Sequence, residues 1–274
     1  MSSELLGGRE VRSLLRRHGV SPKSSLGQNF VVDPNTIRKV IAVARLEPND
    51  RVLEIGAGCG SLTVGLASAA AHVEALEIDR RLLPALAETV GTHANVTVHQ
   101  GDALQLDLAT FDANVVVANL PYNIAATVVL RILESAPQIS RVVVMTQREV
   151  AERLAATPGS RVYGQTSVLV AYFGRAAVAG TVGRGSFFPV PAVDSALVRI
   201  VRHDVSGSIE HAALVRVVRA AFAQRRKTLR NSLTVLAGSA EQAEVALARA
   251  GIDPGARPED VDLDGFVAIG RELG

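Results

Sequence analysis

Cysteine is almost absent from this 274-residue sequence, Cys59 standing alone, and tryptophan is missing altogether. A single thiol excludes an internal disulfide framework and any multi-cysteine zinc site, so no metal is expected. Long apolar runs are also missing. None approaches the ~20 residues that cross a bilayer, so no membrane association is expected. The N-terminal stretch MSSELLGGREVRSLLRRHG has no apolar core followed by a small-residue cleavage site, which makes the cytoplasm the default expectation. Internal repeats and low-complexity tracts do not occur. What is present is 48% hydrophobic, with Gly and Pro scattered rather than clustered. That composition suits a globular chain with one sizeable domain and a smaller appended one.

Net charge is only +2, yet the basic residues are segregated. Between Val11 and Val32 several basic side chains occur without an acid. Between His211 and Ala240 stand Arg216, Arg219, Arg225, Arg226, Lys227 and Arg230, again without an acid. Such blocks suit phosphate neutralisation, although a solvated helix face has the same composition.

From Asn49 to about Ala155, short β-branched runs alternate with helical patterns. The runs are residues 51–55, 73–77, 96–98, 115–118 and 142–146. Helical patterns cover 62–70, 81–90, 124–134 and 148–155. The runs are nearly all apolar, as strands covered on both faces of a parallel sheet are, and the alternation predicts a doubly wound α/β domain. A further strand pair is expected near 177–182 and 195–201. Beyond His203 the pattern becomes helical, over 211–223, 227–237, 240–250 and 263–272, with Gly238, Gly251, Pro254 and Pro258 as punctuation. The expected domains are therefore 1–203 and a helical 204–274.

The first strand runs into Glu54-Ile55-Gly56-Ala57-Gly58-Cys59-Gly60. Glycines there let the backbone turn sharply and approach a ligand closely. The spacing is G-x-G-x-G, unlike the G-x-G-x-x-G of dinucleotide binders, and the Lys-Ser or Lys-Thr of a P-loop is lacking. Glu77 ends the second strand, where a carboxylate can accept both hydroxyls of a ribose. Asp79 beside it is a candidate helix N-cap. Asp102 follows the third strand, and an ionised carboxylate there can accept from the amino group of an adenine. These signals share the carboxyl edge of one sheet, where open α/β folds bind ligands. Together they resemble the S-adenosylmethionine pocket of Rossmann-like class I methyltransferases. That resemblance implies a seven-stranded, mostly parallel sheet with a small C-terminal helical domain, and S-adenosylhomocysteine as product.

Asn119-Leu120-Pro121-Tyr122 comes directly after the fourth strand. Pro121 forces Leu120 into an extended or turn conformation and fixes its own φ, so its carbonyl can point into the site. Asn119 supplies a second acceptor, and Tyr122 a face on which a flat base can stack. Two acceptors can hold both hydrogens of an amino group and draw its nitrogen out of conjugation with the ring. Methyl transfer then depends chiefly on alignment, and no dedicated general base is assigned.

This tetrapeptide resembles that of the N6-adenine methyltransferases. Leu26-Gly27-Gln28-Asn29-Phe30, the segment Phe187 to Ser195, and Phe222 to Asn231 narrow the likeness to the ribosomal RNA adenine dimethyltransferases, over roughly residues 9–270. More particularly they resemble the small-subunit enzymes that dimethylate two adjacent adenosines near the 3′ end of that RNA. The resemblance implies that Gln28 and Asn29 lie over the cofactor, with Val31 adding a backbone contact. It implies Gly56 at the methionine portion, Glu77 at the ribose and Asp102 at the cofactor adenine, with Glu54, Gly58 and Gly60 also binding the cofactor. Asn119 would touch cofactor and target, with Pro121 shaping the turn. Tyr122 and Phe187 would sandwich the target base, Phe188 being the alternative. Cys59 reads as a buried neutral thiol.

The implied partner is small-subunit ribosomal RNA or the small subunit itself, engaged by a monomer through the C-terminal basic residues. The alternatives are a macrolide-resistance type of large-subunit adenine methyltransferase, a ribosome-assembly or transcription factor that binds RNA without catalysis, and a DNA adenine methyltransferase. The Gln224 to Asn231 stretch and the Phe187 to Ser195 segment argue against the first. Intact glycines, Asn119 and Tyr122 argue against the second, and the third lacks a DNA target-recognition domain.

Overall fold

Strands built from Val, Ile and Leu with no polar face can be stable only between two layers of helix. The computed structural model, which describes residues 5–23, 26–204, 209–224 and 227–273, places them so. Helix α1 (Gly8–Arg17), strand β1 (Phe30–Val31) and helix α2 (Pro34–Ala44) precede the first long strand, β2 (Arg51–Ile55). Then follow α3 (Ser61–Ala67), β3 (His72–Glu77), α4 (Leu83–Val90), β4 (Val96–Gln100), β5 (Val115–Asn119), α5 (Ala125–Ser135) and β6 (Arg141–Gln147). Next come α6 (Arg148–Leu154), α7 (Gln165–Phe173), β7 (Gly174–Val182), β8 (Phe187–Phe188) and β9 (Ser195–Arg202). The last helices are α8 (His211–Phe222), α9 (Leu229–Ala237), α10 (Ala240–Arg249) and α11 (Leu263–Leu273).

Seven strands form one sheet in the order β4-β3-β2-β5-β6-β9-β7. The β4-β3, β3-β2, β2-β5 and β5-β6 pairs are parallel, and β9 runs antiparallel to β6. Chain order reverses between β2 and β5, which opens a crevice at their carboxyl ends. Val115 to Ala118 of β5 are wholly buried. Helix α2 starts at Asp33, whose carboxylate accepts from the amides of Asn35 and Thr36 at 3.0 and 3.2 Å, with Pro34 in the first turn. At the opposite sheet edge, buried Asp50 ties three elements together. It accepts from the Glu47 amide at 2.7 Å, from Asn114 Nδ2 at 2.8 Å and from the Arg141 guanidinium.

The chain divides into two compact units, Met1–Ala151 with Ala176–Arg202 and Glu152–Arg175 with His203–Gly274. The first contains the crevice. The second differs from the expected 204–274 domain by recruiting Glu152–Arg175. The reason is packing within that unit: Tyr163 donates to the Val261 carbonyl at 2.9 Å and its ring meets Phe222, while Tyr172 donates to the Ile209 carbonyl at 2.8 Å. A sequence boundary sees only the composition change after His203 and misses a helical insertion that packs against it.

Candidate active site

The crevice is shaped by backbone that side chains would obstruct. Gly58 has φ +62°, and a Cβ there would stand 3.1 Å from the Phe30 ring. Gly60, at φ +90°, would press a Cβ to 2.8 Å from Thr89, so it serves the close approach of α4 rather than the cavity wall. The loop is fastened from below, since the amides of Gly56 and Ala57 both donate to the Leu76 carbonyl, at 2.8 and 3.1 Å. Glu77 Oε2 accepts from the Gly58 amide at 2.7 Å and Oε1 from the Asp79 amide at 2.8 Å. A carboxylate has about four lone-pair sites, so two remain.

An open cavity of about 110 Å³ runs along the ends of β2, β3, β4 and β5. Of the residues singled out in the sequence, Gln28, Asn29, Gly56, Gly58, Glu77, Asp102, Asn119, Pro121 and Tyr122 line it. Asp102 Oδ1 accepts from the Leu104 amide at 2.8 Å, and its second oxygen receives no hydrogen bond from a described residue. Gln28 is positioned by Asp79, to which its Nε2 donates at 2.8 Å. Arg81 holds the same carboxylate, and these bonds pull Asp79 down to about 2. Asp79 therefore anchors the Gln28 segment and the turn at Arg81; it does not cap α4, whose N-cap is Leu82.

Four expected residues are not in the wall. Val31 is buried in the core, and Gly60 packs under α4. Glu54 is 1% exposed beneath the loop, with Oε2 unpartnered among the described residues. Burial, with Glu77 adding repulsion, pushes its carboxyl up to about 8. Glu77 is also raised by burial, with the Asp79 and Gly58 amides opposing. The fourth is Phe187. In the β1–β8 ribbon Phe187 pairs with Val31 and Phe188 with Phe30. Side chains alternate along a strand, so Phe187 turns into the core with Val31 and is 2% exposed, with no open face for a base. Phe188 faces the other way, onto Phe30 and the cluster under α1, and is half-buried. Cys59 is buried in that same cluster, and burial raises its thiol to about 11, a neutral group as expected.

Asn119 donates from Nδ2 to the Asn29 carbonyl at 2.9 Å. An acceptor in that place fixes which end of the amide lies there and leaves Oδ1 as a free acceptor. The Leu120 amide continues the sheet by donating to the Met145 carbonyl at 3.0 Å. The Pro121 carbonyl, expected to point into the site, instead accepts from the Ile124 and Ala125 amides at 3.2 and 3.1 Å, because the first turn before α5 captures it. The Leu120 carbonyl accepts from no described residue, and Leu120 lines the cavity. Tyr122 is half-buried, its hydroxyl 2.8 Å from Ser195 Oγ at the start of β9. Burial raises its pKa. No metal-binding cluster occurs among the described residues.

Motif reading passes over the apolar wall. Ile78, 47% exposed between Glu77 and Asp79, lines the cavity together with Phe30, Leu82 and Ala103. An apolar residue at a strand end has no spacing signature; only its exposure distinguishes it. Of the C-terminal basic residues, Arg216, Arg219 and Lys227 are exposed. Arg230 donates to Glu244 at 2.8 Å. Arg225 and Arg226 lie outside the described residues.

The sheet order, the glycine loop at its switch point, and acidic residues after the next two strands define a class I methyltransferase. Asn-Leu-Pro-Tyr after the fourth long strand and the similarity to known proteins place it further: the chain belongs to the ribosomal RNA adenine dimethylase family, which matches residues 19–273. A ribosomal RNA small subunit methyltransferase A from Corynebacterium glutamicum strain R is 44% identical over 99% of this chain and 96% of its own length. Among solved structures, a dimethyladenosine transferase from Plasmodium falciparum superposes with a TM-score of 0.78 at 26% identity, over 88% of this chain and 95% of the other. The 23S rRNA methyltransferase ErmE gives 0.71 at 29% identity, over 89% and 99%. The chain is thus an rRNA adenine dimethyltransferase, and the methyl donor of its family is S-adenosylmethionine. The cavity suits that donor, combining free carboxylate acceptors, an apolar wall and a loop with no side chain in the way.

Proposed function

We propose that this chain N6,N6-dimethylates two adjacent adenosines near the 3′ end of small-subunit ribosomal RNA, as a cytoplasmic monomer. The observation that carries the chemistry is the orientation of Asn119. With its NH2 committed to Asn29, Oδ1 is left as an acceptor at the cavity that Asn119 and Leu120 both line, and in this reading the Leu120 carbonyl is the second acceptor. The small-subunit target is supported by the name of the Corynebacterium relative.

S-adenosylmethionine supplies an electrophilic methyl whose transfer discharges the sulfonium. The protein's own contribution is to hold and align. Glu77 accepts from ribose hydroxyls, Asp102 Oδ2 from the adenine amino group of the donor, and Gln28, Asn29 and Gly56 flank its methionine end. Asn119 Oδ1 and the Leu120 carbonyl accept hydrogen bonds from the two N–H groups of the target amino group, so that its lone pair turns toward the methyl, and the proton that the methylated nitrogen must lose passes to solvent. A dimethylated product needs the same amino group to be accepted twice, and after the first transfer one acceptor still has a hydrogen to hold. Tyr122 supplies the stacking face, worth ~1–3 kcal/mol per base, against the few kcal/mol that unstacking the adenosine costs. Exposed Arg216, Arg219 and Lys227 contact phosphates, with Arg225 and Arg226 in the same stretch.

Purified protein with labelled S-adenosylmethionine should form dimethyladenosine in unmethylated small subunits or their RNA. Label confined to large subunits would favour the reading that the ErmE likeness supports. Absence of transfer to every RNA would refute both.

A further inference from the structure

The basic residues of helix α1 have no part in the site as described, yet the fold brings them to the site's edge. Helix α1 buries Val11, Leu14 and Leu15 in a cluster that includes Phe30, with Phe188 packed against it. Its polar residues fall into two groups. Glu10 turns back to accept from the Gly7 amide at 3.1 Å, and Glu88 of α4 holds both Arg17 and His18. Arg9, Arg12 and Arg16 are exposed, and none has a hydrogen-bond acceptor or ion-pair partner among the described residues. Positions i, i+3 and i+7 lie along one stripe of a helix, here about 10 Å long at ~1.5 Å rise per residue.

The stripe has a fixed relation to the cavity. The Arg12 guanidinium lies 5.7 Å from the centroid of the Phe188 ring. Phe188 pairs with Phe30 across the β1–β8 ribbon, and Phe30 lines the cavity. Two contacts therefore separate Arg12 from the cavity. A guanidinium spread over an aromatic face keeps its edge N–H groups available for phosphate oxygens.

We infer that Arg9, Arg12 and Arg16 form a phosphate-binding rail on α1 that seats the RNA backbone next to the adenosine entering the cavity. This rests on the reading of the chain as an RNA methyltransferase. Charge complementarity selects the occupant: three unneutralised cations in a row face a ligand whose target base enters next to them. Because the rail holds backbone rather than base, it acts on capture and register of the substrate and not on the transfer step.

The test compares wild type with the triple variant Arg9→Gln, Arg12→Gln, Arg16→Gln and with its triple Arg→Lys counterpart. Affinity for unmethylated small-subunit RNA is measured against KCl concentration, and transfer kinetics and S-adenosylmethionine binding are measured in parallel. Each phosphate contact contributes roughly 0.7–0.9 to the slope of log K against log salt. The Gln variant is expected to lose about 2 from that slope and to show a raised KM for RNA, with kcat and donor binding unchanged. The Lys variant, which keeps the charge, should retain most of the slope. If the Gln variant fails to bind donor, the comparison of Arg12→Gln with Arg12→Lys replaces it, with an expected loss of about 0.7–0.9 for Gln alone. An unchanged slope in a donor-binding variant overturns the rail, and so does a fall in kcat at saturating RNA with no change in KM. Failure of wild type to methylate any RNA refutes the functional reading instead, because the salt slopes are read from binding alone.

Discussion

Replacing Glu54 by Gln leaves the shape of the side chain beneath the glycine loop nearly unchanged and removes its ability to ionise. In the native protein this carboxyl is fully buried and pushed from its ordinary value of 4.5 to about 8. The folded state therefore binds the proton more tightly than the unfolded state does. Stability from this group is fully present below pH 4.5 and is lost as pH climbs toward 8. Each unit of difference corresponds to ~1.4 kcal/mol, so the loss over that window is on the order of 4–5 kcal/mol. Glu77 has the same direction of shift and repels Glu54, so the two titrate as a pair. Removing one charge relieves the other, and the variant keeps only the shallower slope that belongs to Glu77.

The assay is urea unfolding of the donor-free protein at pH 5, 6, 7, 8 and 9, followed by far-ultraviolet circular dichroism because the chain has no tryptophan. Wild type and Glu54→Gln should have their closest midpoints at pH 5, diverge steadily from there to pH 8 and stay apart by a constant amount at pH 9, with the variant the more stable. Parallel profiles, or a variant that is the less stable at pH 9, would refute the buried protonated carboxyl.

Asn119→Ala removes one of two acceptors at the target amino group; kcat should fall about 100-fold or more, by analogy with loss of one aligned hydrogen-bonding group in other active sites, while RNA affinity stays near wild type. Near-normal turnover would exclude the amino-holding role. Tyr122→Phe keeps the stacking face and loses the Ser195 contact, costing about 1 kcal/mol of stability with RNA binding retained. Tyr122→Ala should weaken RNA binding by a further ~1–3 kcal/mol, measured as Kd at fixed salt. Asp50→Ala strands the part-buried Arg141 guanidinium; unfolding free energy should drop by about 3–5 kcal/mol, whereas Asp50→Asn, which can still accept, should cost less.

The sheet was legible in the sequence because parallel strands covered on both sides leave an unbroken apolar run. Residues 51–55 read from the sequence coincide with β2, and the other long strands agree within a residue or two except β7, which begins at Gly174 rather than near 177. Helices α1, α2 and α7 were not read from the sequence. The site was legible where chemistry requires a particular residue at a strand end, as at Glu77, Asp102 and Asn119. It was not legible where the answer depends on which way a side chain turns. Phe187 and Phe188 are chemically alike, and only the pairing register with Phe30 and Val31 decides which one enters the core. Likewise the Pro121 carbonyl, expected in the site, is captured by the turn into α5.

The β1–β8 ribbon is two residues long on each side, yet it joins positions 30 and 188. During synthesis the glycine loop, Glu77, Asp102 and Asn119 are all available long before Phe188 emerges. Closing so long a loop for so few hydrogen bonds is favourable only once β9 has docked on β6 and buried the intervening chain. The wall at Phe30 thus rests on a pairing between distant parts of the chain, whereas the acidic half of the cavity is built from neighbouring strands.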